Sequence, residues 1–111
     1  MQREDRKAAI AAYKERKAVA GIYLVRCAAA GARWVGQAPD LSTIQNRVWF
    51  MLRHGGHRQR SLQAAWNAHR EAAFAFEELE PLDEKALEAG RERVLKARQA
   101  HWCAQLGAEA V

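Results

Sequence analysis

The stretch "AGIYLVRCAAAGARWVGQAPDL", Ala20 to Leu41, decides the fold. From Val19 to Cys27 the residues are β-branched or aromatic and apolar on both faces, the pattern of a central strand. Gly31 supplies a turn, and Ala32 to Gln37 predicts the returning strand of a hairpin. Pro39 and Asp40 end it. The hairpin carries one aromatic near the start of its first strand, Tyr23, and another on its partner, Trp34.

Outward from the hairpin the pattern becomes helical. Leu41 to Arg53 sets Ile44, Val48, Met51 and Leu52 at i, i+4, i+7 and i+8, with Asp40 or Ser42 available to cap the start. "HGGH", His54 to His57, breaks that helix. A second helix, Gln59 to His69, sets Leu62, Ala65, Trp66 and His69 on one face and Arg60, Gln63, Asn67 and Arg70 on another. "AFAFEEL", Ala73 to Leu79, alternates and predicts a third strand. Pro81 and Asp83 then introduce a long C-terminal helix, Asp83 to Leu106. Upstream, "REDRKAAIAAYKERK", residues 3–17, is Ala-rich with acids early and bases late, which predicts an N-terminal helix. The expected order is α-β-β-α-α-β-α, an α/β (α+β) fold in a single domain over residues 1–111. Its parts are an N-terminal helical segment to residue 18, a core from 19 to 80 and the last helix from 83 to 106.

Composition narrows the functional classes. The 111 residues suffice for one modest core. No apolar run approaches the roughly 18 residues of a membrane span, and the charged start "MQREDRKAA" is unlike an export signal, so a cytoplasmic location is expected. Cys27 and Cys103 stand far apart without CxxC spacing, which points to free thiols rather than a disulfide framework or a zinc site. Charge is segregated. Residues 21–70 hold seven Arg, no Lys and a single acid, Asp40, whereas residues 71–111 hold nine acids against five bases. The planar donor fork of Arg suits phosphate, so the basic middle favours a polyanionic partner such as nucleic acid. A solvated basic face with no partner is the plain alternative.

The order of elements, with "GIY" at Gly21 to Tyr23, "WVG" at Trp34 to Gly36, "HGGH", "LQAAWN" and "FAFEELE", resembles the GIY-YIG nuclease superfamily. The likeness is greatest to its small bacterial members and to the catalytic domains of phage intron-encoded homing endonucleases. It covers roughly Gly21 to Glu92. What the resemblance implies is a small three-stranded sheet flanked by helices and an endonuclease that hydrolyses phosphodiesters, acting on nucleic acid, DNA first, and not on a membrane, with one magnesium (or manganese) ion held by a single Glu.

The resemblance also implies roles. Tyr23 matches the Tyr of GIY and would activate or orient water; an unperturbed phenol titrates near pH ~10, so its proton must be lost or relayed. A strand Tyr that merely packs its ring is an equal alternative. Gly36 matches the Gly of YIG, where a missing Cβ permits close approach. Trp34 replaces the second Tyr; its N–H donates but cannot accept, so it is expected to contact a phosphate oxygen. Ile44 stands where the family has a catalytic Arg, and Arg47, one turn later, is expected to act in its stead. His57 matches a family position implicated in substrate binding or in orienting the catalytic site, with an exposed loop residue as the plain alternative; Asn67 sits in the matching "AWN", and Gly36, Arg53, Arg60, Gln63 and Asn67 are expected substrate contacts. The metal Glu falls at Glu92 if "EKALEAGRER" sets the register. If Trp102 sets it, the position is Gln99, two turns on and unable to supply an anionic ligand. Glu92 is the expected choice, and a surface partner of Lys96 or Arg91 is the equal alternative for Glu92, as for Glu88. Two other readings stand beside the nuclease: a nucleic-acid-binding protein of the same fold with weak or lost activity, and a helix-turn-helix binder built from the helices 41–53 and 59–69.

Overall fold

A computed structural model describes residues 18–111. The expected N-terminal helix over residues 3–17 lies outside the described residues. Strand β1 (Ala20–Cys27) and strand β2 (Ala32–Ala38) pair antiparallel, with Tyr23 opposite Gly36 and Val25 opposite Trp34. Helix α1 (Leu41–Arg53) follows, capped by the Asp40 side chain, which accepts from the Ser42 N–H. Helix α2 (Arg60–His69) is capped by Gln59. After a 3-10 turn at Glu71–Ala73, strand β3 (Phe74–Leu82) pairs antiparallel with β1, with a bulge at Ile22/Tyr23. Helix α3 (Arg91–Leu106) and a short strand β4 (Glu109–Ala110) complete the chain.

The mixed α/β fold matches the expectation from sequence, with two differences. The sheet has four strands, in the order β3-β1-β2-β4, rather than three, because the chain after α3 folds back parallel to β2. The last helix begins at Arg91, not Asp83. Asp83 accepts from the Ala86 N–H and starts a run of turns, and Gly90, at φ +124°, holds a conformation no helix interior contains. Strand β3 meanwhile runs through Pro81, which its edge position tolerates because the missing N–H faces away from a partner.

Alternation along the strands divides the core into two layers. Tyr23, Val25, Cys27, Trp34 and Ala38 pack against α1 and α2 through Ile44, Val48, Trp49, Leu52, Leu62 and Trp66. Ile22, Leu24 and Val35 point the other way, toward Leu95 of α3 and Leu82. On that second face Glu80 accepts from Arg98 Nε at 2.7 Å and from Trp102 Nε1 at 2.9 Å, fixing α3 across the sheet. Among the described residues no helix is long and apolar enough to cross a membrane.

Candidate phosphate site beside strand β2

Tyr23 lies on the α1 side of β1, and its ring crosses Gly36 on the neighbouring strand. A Cβ built on Gly36 would fall 2.3 Å from Tyr23 Cζ and 2.4 Å from its hydroxyl oxygen, so only glycine admits the ring. Phe76 of β3 stacks on the other flank at 5.3 Å between centroids. The phenol therefore sits in a fixed slot at the edge of a cavity of about 330 Å³. Arg47, Ile44 and Met51 of α1, His57 and Arg58 of the loop before α2, and Gln37, Gln59 and Val111 complete most of its wall.

Electrostatics set what these groups offer. Burial pushes the Tyr23 hydroxyl up to about 12, with the Arg58 and Arg47 charges pulling in the opposite direction. At pH 7 the phenolate is then about one molecule in 10⁵, so Tyr23 is a hydrogen-bond donor there and a poor base. His57 is pushed down, first by burial and then by Arg58, which keeps the imidazole neutral at pH 7. Its Nδ1 accepts from the Gln59 N–H at 3.0 Å, which assigns the ring proton to Nε2. The His57 N–H donates to Gln63 Oε1 at 3.1 Å, tying the loop to α2. The wall thus presents a phenol, an imidazole N–H and two guanidinium groups, and among the described residues no carboxylate side chain lines it.

The other expected site residues are placed as follows. Trp34 is buried in the core, and its indole N–H donates to Ser61 Oγ at 2.9 Å, so the donor expected to meet a phosphate is used within the fold. Arg53 is held in a two-bond ion pair with Glu71, at 2.7 and 2.8 Å. Gln63 is buried and donates to the Leu52 carbonyl and to Asn67 Oδ1, so it positions the His57 loop and does not itself line the cavity. Asn67 and Arg60 are exposed and also lie outside the lining. Ile44 is buried against the sheet, while Arg47, on the exposed side of α1, reaches the cavity.

Glu92 is exposed in the first turn of α3 and does not line the cavity. Gln99, one of the α3 residues that meet β2, is buried. Its Nε2 donates to the Val35 carbonyl at 2.8 Å and to the Val111 carbonyl at 3.2 Å, and its Oε1 accepts at 3.0 Å from Gln37, a cavity residue. Of the two positions weighed for the metal Glu, 99 is hydrogen-bonded to the cavity wall and 92 lies away from it. A hard dication takes carboxylate and carbonyl oxygens. The donor set beside Arg47 and Arg58 does not fit one, and no cluster of three or more His, Cys, Asp or Glu suited to an ion occurs among the described residues.

Arg58, Gln37 and Gln59 were not among the expected site residues. Arg58 follows directly on "HGGH", and its membership of the Arg-only middle segment was its one signal in the sequence.

A sheet with the order β3-β1-β2-β4, crossed by α1 and α2 on one face and α3 on the other, with Tyr23 over Gly36, is a fold this chain shares with solved catalytic domains. Among solved structures it matches the catalytic domain of the homing endonuclease I-TevI at a TM-score of 0.69 and 22% identity, covering 83% of this chain and 97% of that one. A mutant form of the catalytic domain of the intron endonuclease I-TevI matches at a TM-score of 0.67 and 24% identity, over 80% of this chain and 84% of that one. No protein-family model and no curated protein matches the sequence.

Proposed function

We propose that this chain binds nucleic acid, seating a backbone phosphate in the cavity beside β2, and that it does so without the metal-dependent hydrolysis the fold suggests. One observation carries the reading: Tyr23, Arg47, His57 and Arg58 line one cavity with a protonated phenol, an Nε2–H and two guanidinium groups, and the α3 residue bonded to its wall through Gln37 is the neutral Gln99. Such a set is complementary to a phosphate, which accepts hydrogen bonds and carries negative charge. It supplies neither an anionic ligand for a dication nor an effective base for water at neutral pH. The likeness to a homing endonuclease's catalytic domain supports a nucleic-acid ligand, DNA first among those to test. A cytoplasmic setting is part of the same reading.

In this reading each residue has one task. Arg47 and Arg58 neutralise the phosphate, His57 donates from Nε2 and Tyr23 from its hydroxyl. The contrary reading, retained cleavage, has in its favour that Tyr23, Arg47 and His57 share one cavity. In that case Glu92 would have to swing a metal in from two turns away, or hydrolysis would have to proceed on the phenol and guanidinium groups alone.

The test combines binding with cleavage. Fluorescence anisotropy with labelled DNA and RNA is expected to give salt-dependent binding, with a shallower salt slope in Arg47→Ala and Arg58→Ala. Gels with magnesium, manganese or chelator are expected to give no product. Metal-dependent product lost in Glu92→Gln would overturn the reading in favour of the nuclease, and absence of binding to any nucleic acid would overturn both.

A further inference from the structure

Every described Trp, Tyr and Phe is buried or half-buried except one: Phe50 of α1 is 60% exposed. Its neighbours on the chain, Val48, Trp49 and Leu52, fill the core, so the helix turns Phe50 to the opposite side. There it does not stand alone. The His54 ring lies 4.2 Å from the Phe50 ring, centroid to centroid, at a 32° tilt. His54 Nδ1 lies 2.8 Å from the Phe50 carbonyl oxygen, a hydrogen bond that fixes the imidazole beside the phenyl ring. Two flat rings are thus held together on a solvent-facing surface, adjoining the cavity wall.

The position of Arg47 says what this surface adjoins. Arg47, Phe50 and His54 fall at i, i+3 and i+7, one stripe of the helix, and three residues advance ~4.5 Å along its axis. Arg47 lines the cavity and Phe50 sits a single turn beyond it. A polynucleotide whose phosphate occupies the cavity therefore has a base within reach of the ring pair. The surroundings match in charge as well, since all the basic residues from 21 to 70 are Arg. In a duplex each base face is covered by its neighbours in the stack, whereas an unpaired base offers its π-face to an aromatic side chain.

We propose that Phe50 and His54 form a stacking platform for an unpaired base, so that the ligand is a single strand or a single-stranded segment next to a duplex. The proposal rests on the phosphate-seating reading above and names the class of nucleic acid which that site takes. Stacking supplies the discrimination between unpaired and paired strands, and Arg47 with Arg58 supplies affinity for both.

The test measures anisotropy of a labelled 12-nucleotide single strand, the same sequence as a blunt duplex, and a duplex with a single-stranded overhang. Single strand and overhang are expected to bind more tightly than the blunt duplex. Phe50→Ala is expected to weaken both by about tenfold, the order of one lost base stack, leaving the blunt duplex and the salt slope unchanged. Phe50→Trp is expected to restore the difference. Equal weakening on all three ligands, or no change on any, overturns the platform. If Arg47→Ala and Arg58→Ala leave all binding intact, the phosphate seat is wrong; if they weaken it while Phe50→Ala does nothing, only the platform is. Conversion of a dimer to a monomer by Phe50→Ala in sedimentation velocity would assign the ring pair to a contact between copies and overturn the proposal.

Discussion

Replacing Gln99 by glutamate changes one side-chain atom and reverses what that atom can do. The amide donates to two carbonyl oxygens, of Val35 at 2.8 Å and of Val111 at 3.2 Å, while its own oxygen accepts from Gln37. In Gln99→Glu the Gln37 bond survives, but the second carboxylate oxygen faces two carbonyl oxygens at a position only 7% exposed. Two hydrogen bonds are lost at ~0.5–1.5 kcal/mol each, and a buried carboxylate oxygen is left facing two acceptors, so a cost of about 3 kcal/mol is expected at pH 8. For a domain of this size that lowers Tm by roughly 12 °C. Burial and the facing carbonyls raise the new carboxyl's pKa in the folded state. The folded state then holds its proton more tightly than the unfolded chain does. The deficit must therefore be small below the unfolded value of ~4.3, grow as pH rises, and be complete above the raised folded value. Thermal melts of the two proteins between pH 4.5 and 8 read this directly, with Glu92→Gln as a control expected to melt like the parent. A Tm within about 2 °C of the parent at pH 8, with no pH dependence, would refute the anchoring of Gln99 between β2 and the last strand.

Other perturbations probe the rest of the site. Gly36→Ala drives a Cβ into the Tyr23 ring at 2.3 Å and is expected to cost about 3 kcal/mol in urea denaturation; a loss below about 1 kcal/mol would mean that the ring does not cross the glycine. Tyr23 should ionise near 12 in an absorbance titration, and because its folded pKa is raised, stability should fall as pH climbs from ~10 towards that value; a titration complete by pH 10.5 would contradict its burial. His57 has a depressed folded pKa, so the unfolded chain takes up its proton first and stability should drop as pH falls below ~6.5. In His57→Gln that part of the acid sensitivity should disappear, and an unchanged profile would show that other groups account for it.

Much of the fold was legible because short-range signals agreed. Gly31 between two β-rich runs specified the hairpin, and the 3.6-residue period of Ile44, Val48 and Leu52 with Asp40 ahead of it specified α1. The last helix was misjudged at its start because an Ala- and Glu-rich run is favourable to helix regardless of context, and Gly90 alone marked the break. Positions 92 and 99 are two turns apart and share a helix face, so periodicity cannot choose between them, and only the folded chain shows that Gln99 is the one bonded to β2. Trp34 was legible as a departure from the GIY-YIG pattern, but Ser61, the partner that takes up its N–H, is 27 residues away, and no local signal joins them. Arg58 sits in a loop, where side-chain direction follows no period. The strand β4 is two residues long and owes its conformation to contacts with β2, Gln59 and Ser61.

That small strand bears on how the protein behaves at high concentration. A sheet ends in bare N–H and C=O groups, which invite a strand from another molecule and lead toward aggregation. Here one border strand, β3, carries Pro81 and the exposed acids Glu77 and Glu78. The opposite border of β2 is occupied at Trp34 and Val35 by β4, and the Val111 N–H reaches the Val35 carbonyl at 2.9 Å. What remains open on β2, from Gly36 onward, adjoins a cavity flanked by the like charges of Arg47 and Arg58. Among the described residues neither border therefore offers a long neutral template for sheet extension, and Val111 closes part of the cavity wall where β4 covers the β2 border.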